Sequence, residues 1–531
     1  MSRRAAFVVF LVLAAFHTWP LASAPWRLSL NHNADAELNA WMLSWIAHTL
    51  PRDPVHLFDG NIFAPEPHTL AYTDPLIVPA VAAAPAWWLT GSPVLAFNVS
   101  LLIGLALTGW AAWLCAWRWT GSAGAALVAG SLAAFNPHLL TRLPHTAASW
   151  MWTMPLSLYL ADRLAATSSR RTAIGLALTI AATIATSIYT LAFVGTLCGL
   201  VVAIAIVQRQ WRGALRVIAA SAAGLAMAAP VLVPYVQFAR TGVSRPLESV
   251  AQFSATLAGY LHSPSLVHAG WSAAFFDRDV SVFFAGVTAI ALALVGLACW
   301  RGEAHGRRRW LLVIAAVTGV VLSLGPTTPV YGVLYDWILP LRGLRAAARF
   351  GYLYLLAVAL AASCGLAWLL DRVRSPRRRA AIVAAALALV TIEAWSAPIL
   401  TRPFDGVPPI YRHVRDAPGR VLLVEVPFWP PEAFFENGEY VINATAHWRP
   451  LANGYSGFLP QSYRDRAPFY WYFPEARALD RLAVDGVTHV MIHIERWPPH
   501  ERPALERALR EQTRLSLVAT DTQGHRLYRV N

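Results

Sequence analysis

Apolar stretches close to twenty residues long recur along roughly the first 400 positions of this chain, and they constrain its fold more than any single motif. A helix of that length matches the ~30 Å hydrocarbon core of a bilayer. Only helices and closed barrels cross a bilayer with every backbone group satisfied. The stretches lie near 5–23, 94–117, 121–137, 146–164, 172–188, 190–207, 214–236, 281–300, 310–325, 350–370 and 380–397. Charged residues make up 14% of the chain, against about 25% in a soluble domain. The chain therefore reads as a polytopic α-helical membrane protein with about eleven transmembrane helices in residues 1–397 and a C-terminal extracytoplasmic α/β domain in 398–531.

Every one of the 43 basic side chains is arginine, and the net charge is +14. Residues 1–396 carry 27 arginines and 14 acids, and residues 397–531 carry 16 and 15. The excess thus belongs to the membrane part, where loop charge sets orientation, and it does not argue for nucleic acid. Arg3 and Arg4 put the N-terminus on the cytoplasmic side. The alternation of spans then places 18 of the 27 arginines inside, among them the clusters Arg301–Arg309 and Arg372–Arg379. Acids such as Asp35, Glu37, Asp74, Glu248 and Asp279 fall outside. This count requires the stretch 75–90, with Pro75, Pro79 and Pro85, to lie at the interface rather than span. Cys115, Cys198, Cys299 and Cys364 all sit in apolar segments and read as small buried hydrophobes.

The large external loop 24–93 opens with Asn31-His32-Asn33-Ala34-Asp35-Ala36-Glu37. Leu38, Trp41, Trp45 and His48 then recur at helical spacing, as on an amphipathic helix at headgroup level. Asp35 reads either as the cap of that helix or as a general base, and Glu37 shares the second reading. A carboxylate beside low-dielectric lipid has its charged form disfavoured and its basicity raised.

A short first span followed by an acid at the head of a large external loop resembles the GT-C superfamily, the integral membrane glycosyltransferases that use polyprenyl-phosphate sugars. Asn61-Ile62-Phe63-Ala64-Pro65, Leu70-Ala71-Tyr72-Thr73-Asp74 and the stretch from Trp87 to Asn98 are similar to bacterial members. The resemblance covers most of residues 1–400. It implies an inverting transfer in which Asp35, or Glu37 as second choice, takes the proton of the acceptor hydroxyl. Some relatives use a divalent metal; no cofactor or metal ligand set stands out here.

Other external groups are candidates for holding substrate. Arg142 and His145 lie in a short outer turn before Trp150 and Trp152, and Arg245 lies in the loop 238–280. Arg342, Arg345 and Arg349 are spaced i, i+3, i+7, so one helix would show three guanidinium groups on one outer face. A lipid-linked phosphate or ordinary headgroups would pair with them. Asp74, and in the C-terminal domain His447 and Tyr455, complete the set. The aromatic run there, from Thr445 to Gly457 and on to Phe473, suits either sugar stacking or docking on a membrane. Strands are expected at 421–426 and 487–494, a helix at 500–512, and a hairpin of 516–520 with 525–530.

Two functions fit these features. One is a glycosyltransferase moving a sugar from a polyprenyl-phosphate donor to a lipid or glycan acceptor of the cell envelope. The other is a non-catalytic glycolipid transporter or assembly protein. Transporters usually carry polar groups at mid-bilayer, and most spans here lack charge at their centres, which favours surface chemistry.

Overall fold

The computed structural model describes residues 1–30, 32–240, 242, 244–300 and 303–531. Asn31, which opens the polar stretch, and Arg301, one of the inner-face arginines, lie outside the described residues. The chain divides into two compact units. One joins Met1–Ser23 to Ser100–Ile399, and the other joins Ala24–Val99 to Leu400–Asn531.

The first unit is helical. Among the described residues three helices are long and apolar enough to cross a bilayer: Pro93–Thr120, Ile188–Val207 and Ala347–Asp371. A fourth is counted if Trp211–Met227 and Ala229–Arg240, bent by 76°, form one span. Pro230, at the head of the second half, accounts for the bend, because it has no amide hydrogen for the ladder. The other stretches read as spans fold as shorter helices, such as Ala123–Ala134 and Val287–Cys299, or as helices with arginines in their first turns, such as Pro376–Ala394. The stretch 146–164 is interrupted. Thr146–Ser149 and Thr153–Ala166 are separate helices, and Trp150 and Trp152 sit in the turn between them rather than on a helix.

Small residues let these helices touch at the backbone. A Cβ on Gly296 would lie 2.2 Å from the Ala361 carbonyl oxygen, and one on Gly365 would lie 2.0 Å from that of Leu292. Helices Val287–Cys299 and Gly351–Asp371 therefore pack closer than any larger residue would permit. Glu393, an acid inside the last apolar stretch, has a structural task. Its carboxylate accepts from the Thr288 backbone N–H at 3.1 Å and from the Thr288 hydroxyl at 2.6 Å, which caps Val287–Cys299. The residue at the cap position is Gly286, with φ +96°, and a Cβ there would collide with the same carboxylate. A buried ion pair ties Thr153–Ala166 to Glu303–Ser323. Asp162 accepts from Arg307 at 2.5 Å and from Arg308 at 3.0 Å, beside a cleft of about 260 Å³ lined also by Arg118 and Arg163.

The second unit mixes helices with a four-stranded sheet. A two-residue ribbon, β1 Leu28–Ser29 with β2 Arg402–Pro403, joins its two chain segments. In the sheet, β3 Leu423–Val426 runs parallel to β4 His489–His493. Strands β5 Leu515–Thr520 and β6 His525–Val530 form the expected hairpin, and β6 pairs with β4, giving the order β3-β4-β6-β5. The helix expected at 500–512 is Arg502–Glu511.

The two segments are sewn together further on. Phe63 and Ala64 donate backbone hydrogen bonds to Asn453 and Leu451, and Leu451 donates back to Asn61. The helix Ala34–Thr49 is consequently not an amphipathic surface helix. Trp41 is 1% exposed and its indole donates to Asn61 Oδ1 at 2.9 Å; Trp45 is 8% exposed and donates to the Leu57 carbonyl at 2.8 Å. Trp448 packs against Trp45 and stacks on His48. The periodicity that suggested a single wet face could not show that chain from beyond residue 400 covers it. The stretch 77–90 is a 14-residue helix, Ile77–Thr90, about 21 Å long.

Candidate active site

Asn33 caps Ala34–Thr49: its side chain accepts from the Asp35 N–H at 2.8 Å. Asp35 is thus not the cap. It sits in the first turn, where the unpaired N–H groups favour negative charge, and its carboxylate is left to face a partner from the far end of the chain. That partner is Tyr455, whose hydroxyl donates to Asp35 Oδ1 at 3.0 Å.

Tyr455 follows a hydrogen-bonded, closely packed turn. Asn453, wholly buried, accepts from the Glu425 N–H and donates to the Glu425 carbonyl and to Asn437. Gly454 lies against the Phe63 ring, where a Cβ would be 2.6 Å from ring carbon. The Phe434 ring sits 5.2 Å from that of Tyr455. The stretch leading to Asp74 joins the same neighbourhood: Tyr72 packs edge-on against Phe458, and its carbonyl lies under Gly457. Asp74 itself is partly buried.

Glu37, the second candidate base, is placed differently. It packs against Gly438, where a Cβ would be 2.2 Å from Glu37 Oε2. Burial first, and then the carboxylates Glu439 and Glu436, push its carboxyl up to about 8, against the opposing charges of Arg496 and Arg402. A group in that range is protonated at neutral pH for a good part of the time. Asp35 and Glu37 are thus separated by environment although two residues apart: one meets a hydroxyl donor, the other a crowd of like charges.

The helical unit gathers the arginines. They do not share one helical face. Leu339–Gly343 and Ala347–Phe350 are separate 3₁₀ turns with Arg345 between them. The positions are drawn together by aromatic rings instead. Arg345 lies 4.3 Å over Phe253, Arg349 lies 4.4 Å over Tyr189, and Arg342 lies over Tyr335. The Tyr189 hydroxyl accepts from the Arg345 and Ala346 backbone N–H groups, and that of Tyr335 donates to the Arg245 carbonyl. Burial and then the Arg345 charge push the Arg245 guanidinium below its ordinary value. Arg142 donates to the Asp279 carbonyl, and Arg142, Arg349 and His145 all lie near the buried His138 ring. Five arginines and His145, all singled out by position in the sequence, therefore form one linked basic region, although the helix expected to present three of them is absent.

His447 is buried. Its Nδ1 accepts from the Arg449 N–H at 3.0 Å, its ring stacks on Tyr411, and burial with the Arg449 charge pushes it down to about 3. Asn443, in an apparent glycosylation motif, is 2% exposed and bonded to Tyr411. Sequence reasoning passed over Glu425 and His493, each 0% exposed and joined at 2.6 Å. The signal was an acid within the apolar run Val421–Val426 and a histidine ending a second such run. Asp162 was passed over as well; its mark is a lone acid in an apolar helix.

A family model described as a domain of unknown function (DUF6311) matches residues 5–394. No curated protein matches the chain. The solved structure of the arabinofuranosyltransferase AftD from Mycobacteria is similar over 100% of the chain, at 17% identity and a TM-score of 0.61, and the chain spans 40% of that protein's length. That likeness shows a GT-C-like fold, as the sequence resemblance implied. The oligosaccharyltransferase of Archaeoglobus fulgidus, solved with a tethered acceptor peptide, aligns over 99% of the chain and 74% of its own, with 12% identity and a TM-score of 0.46. ArnT from Cupriavidus metallidurans, solved with undecaprenyl phosphate, aligns over 98% and 97%, with 13% identity and a TM-score of 0.44.

Proposed function

Because this chain belongs to the DUF6311 family, whose description assigns no activity, we propose from its geometry and fold that it is an inverting membrane glycosyltransferase using a polyprenyl-phosphate sugar. The observation that carries this reading is the Asp35–Tyr455 contact at the head of a buried helix, on a chain similar along its whole length to a glycosyltransferase. Asp35 takes the proton of an acceptor hydroxyl. The acceptor oxygen bonds to the anomeric carbon as the carbon–oxygen bond to the donor phosphate breaks, and polyprenyl phosphate leaves with the bonding pair. Tyr455 holds the Asp35 carboxylate on its working rotamer. The basic region of Arg142, Arg245, Arg342, Arg345 and Arg349 stabilises charge on the departing phosphate. Asp74, beside Tyr72 in the unit that carries Asp35, and His145, in the unit that carries the arginines, serve in substrate contact.

In this reading the helical unit crosses the inner membrane about eleven times with a cytoplasmic N-terminus. The unit containing Asp35 and the sheet is extracytoplasmic, and the acceptor is a lipid or glycan of the envelope. No step is assigned to a metal at Asp35.

The test is glycolipid profiling of a deletion strain complemented with wild type or Asp35→Asn. Wild type restores a missing terminal sugar, and Asp35→Asn, at equal membrane abundance, lowers its formation about a hundredfold or more. Full restoration by Asp35→Asn removes the base role. Accumulation of a complete precursor in the deletion strain makes the protein a transporter instead.

A further inference from the structure

The sheet of the second unit brings together a second set of chemically capable side chains. His493 ends β4 and His525 begins β6, and the two are register partners across the antiparallel pair. Their rings lie 4.8 Å apart at 71°. Glu495 follows two residues after His493, on the turn Ile494–Arg496. Its Oε1 lies 3.6 Å from His493 Nδ1 and 3.4 Å from His525 Nε2, and the three donor atoms all fall within 4.8 Å of one another.

The remaining nitrogen of each ring is already committed to a carboxylate. His493 Nε2 meets Glu425 Oε2 at 2.6 Å, and His525 Nδ1 meets Asp521 Oδ2 at 2.7 Å. These carboxylates are fixed in turn. Glu425 accepts from the Tyr411 hydroxyl at 2.6 Å, and Asp521 Oδ1 accepts from the Gln523 and His525 N–H groups. A hydrogen bond to a carboxylate at one ring nitrogen sets the tautomer that offers a lone pair at the other. His493 is 0% exposed and its Nδ1 makes no hydrogen bond.

We propose that His493 Nδ1, Glu495 Oε1 and His525 Nε2 bind a divalent transition-metal ion of the zinc class. The two separations from Glu495 carry this, while the two ring nitrogens, within 4.8 Å of each other, draw together as the ion binds. A charge-assisted N–H···O bond closes to about 2.7–2.9 Å, yet both contacts to Glu495 stand well beyond that. They match instead the edge of about 3.3 Å between ligands of a tetrahedral ion with bonds of about 2.0–2.1 Å. Two imidazoles and one carboxylate, each imidazole backed by its own carboxylate, are the donor set of zinc rather than of magnesium or calcium, which prefer oxygen. Glu495 is 40% exposed, so the fourth position opens toward solvent. An ion here clamps the end of β4 to the start of β6 and so staples the C-terminal hairpin. The proposal is independent of sugar transfer.

The test is calorimetric titration of the full chain, purified in detergent and stripped of metal, with zinc ion alone. One ion binds per chain; Glu495→Gln and His525→Ala each weaken binding a hundredfold or more, and Asp521→Asn weakens it about tenfold. The melting midpoint of wild type rises with added zinc and that of Glu495→Gln does not. Glu495→Gln keeps the side-chain size at a partly exposed position, so its melting without zinc reports whether the fold survives. Wild type taking up no more zinc than Glu495→Gln, or a zinc-dependent rise that Glu495→Gln shares, overturns the site.

Discussion

The Tyr455 hydroxyl donates to Asp35 Oδ1 at 3.0 Å, which joins residues 420 positions apart in one hydrogen bond. Both belong to the unit built from the first loop and the end of the chain.

Tyr455→Phe removes the only hydroxyl of that side chain while keeping its ring against Phe434. A hydrogen bond to a charged group contributes about 1.5–3 kcal/mol, so under the proposed activity kcat/KM falls at least about tenfold with little change in melting. Steady-state transfer assays and a thermal melt on the same preparation separate the two effects. Unaltered kinetics would show that Tyr455 does not position Asp35.

Glu37 makes stability fall as pH rises. Its folded value, about 8, stands above the unfolded value of 4.5, so the folded state holds the proton more tightly. The stabilisation is fully present below pH 4.5 and is lost as pH climbs to about 8, at a cost of up to a few kcal/mol. The wild-type melting midpoint therefore declines between pH 5 and 8, and Glu37→Gln, which imitates the protonated form, flattens that decline. Parallel curves for the two proteins would contradict the assignment.

Gly438→Ala drives a methyl group into Glu37 Oε2. Overpacking of this kind costs about 1–3 kcal/mol, and much of the loss should vanish in the background Glu37→Ala, where the clashing carboxylate is gone. A double-mutant cycle on melting measures it; strict additivity would mean the contact is not the cause.

Arg349→Lys keeps the charge but loses the guanidinium that lies over Tyr189 and its capacity for a two-pronged hydrogen bond. Under the proposed activity the KM for the lipid-linked donor rises about tenfold. An unchanged donor KM would detach Arg349 from phosphate binding.

Asp162→Asn leaves Arg307 and Arg308 partly buried without their counter-charge. Breaking one side of a buried pair costs about 3 kcal/mol or more. The purified protein should melt several degrees lower in detergent, and a midpoint equal to wild type would show the pair to be energetically idle.

The helical character of the first unit was legible in residues alone, because hydrophobic runs are local signals. The hairpin of β5 and β6 was written in its alternation and its turn, and the strands around Glu425 and His493 in their apolar runs. Asp35 and Tyr455 were each visible as candidates, but nothing in either segment announces their pairing. The helix Ala34–Thr49 was misread for the same reason: a tryptophan stripe looks identical whether lipid headgroups or Trp448 cover it. The arginines at 342, 345 and 349 were drawn on one helix by spacing, while the backbone breaks at Leu344–Ala346 and lets aromatic rings do the gathering. The cluster of His493, Glu495 and His525 escaped notice because two of the three side chains lie 32 and 30 positions from the third, and strand pairing brings them together.

The unit that carries Asp35 is assembled from both ends of the chain. During synthesis its first segment is made more than 300 residues before the second, so Trp41, Trp45 and Glu37 must wait for their final cover until the ribosome has nearly finished. A nascent chain halted near residue 399 would hold the proposed base in a helix without Gly438, Trp448 or Tyr455 around it, and that surrounding is complete only as the last quarter of the polypeptide folds back onto the first loop.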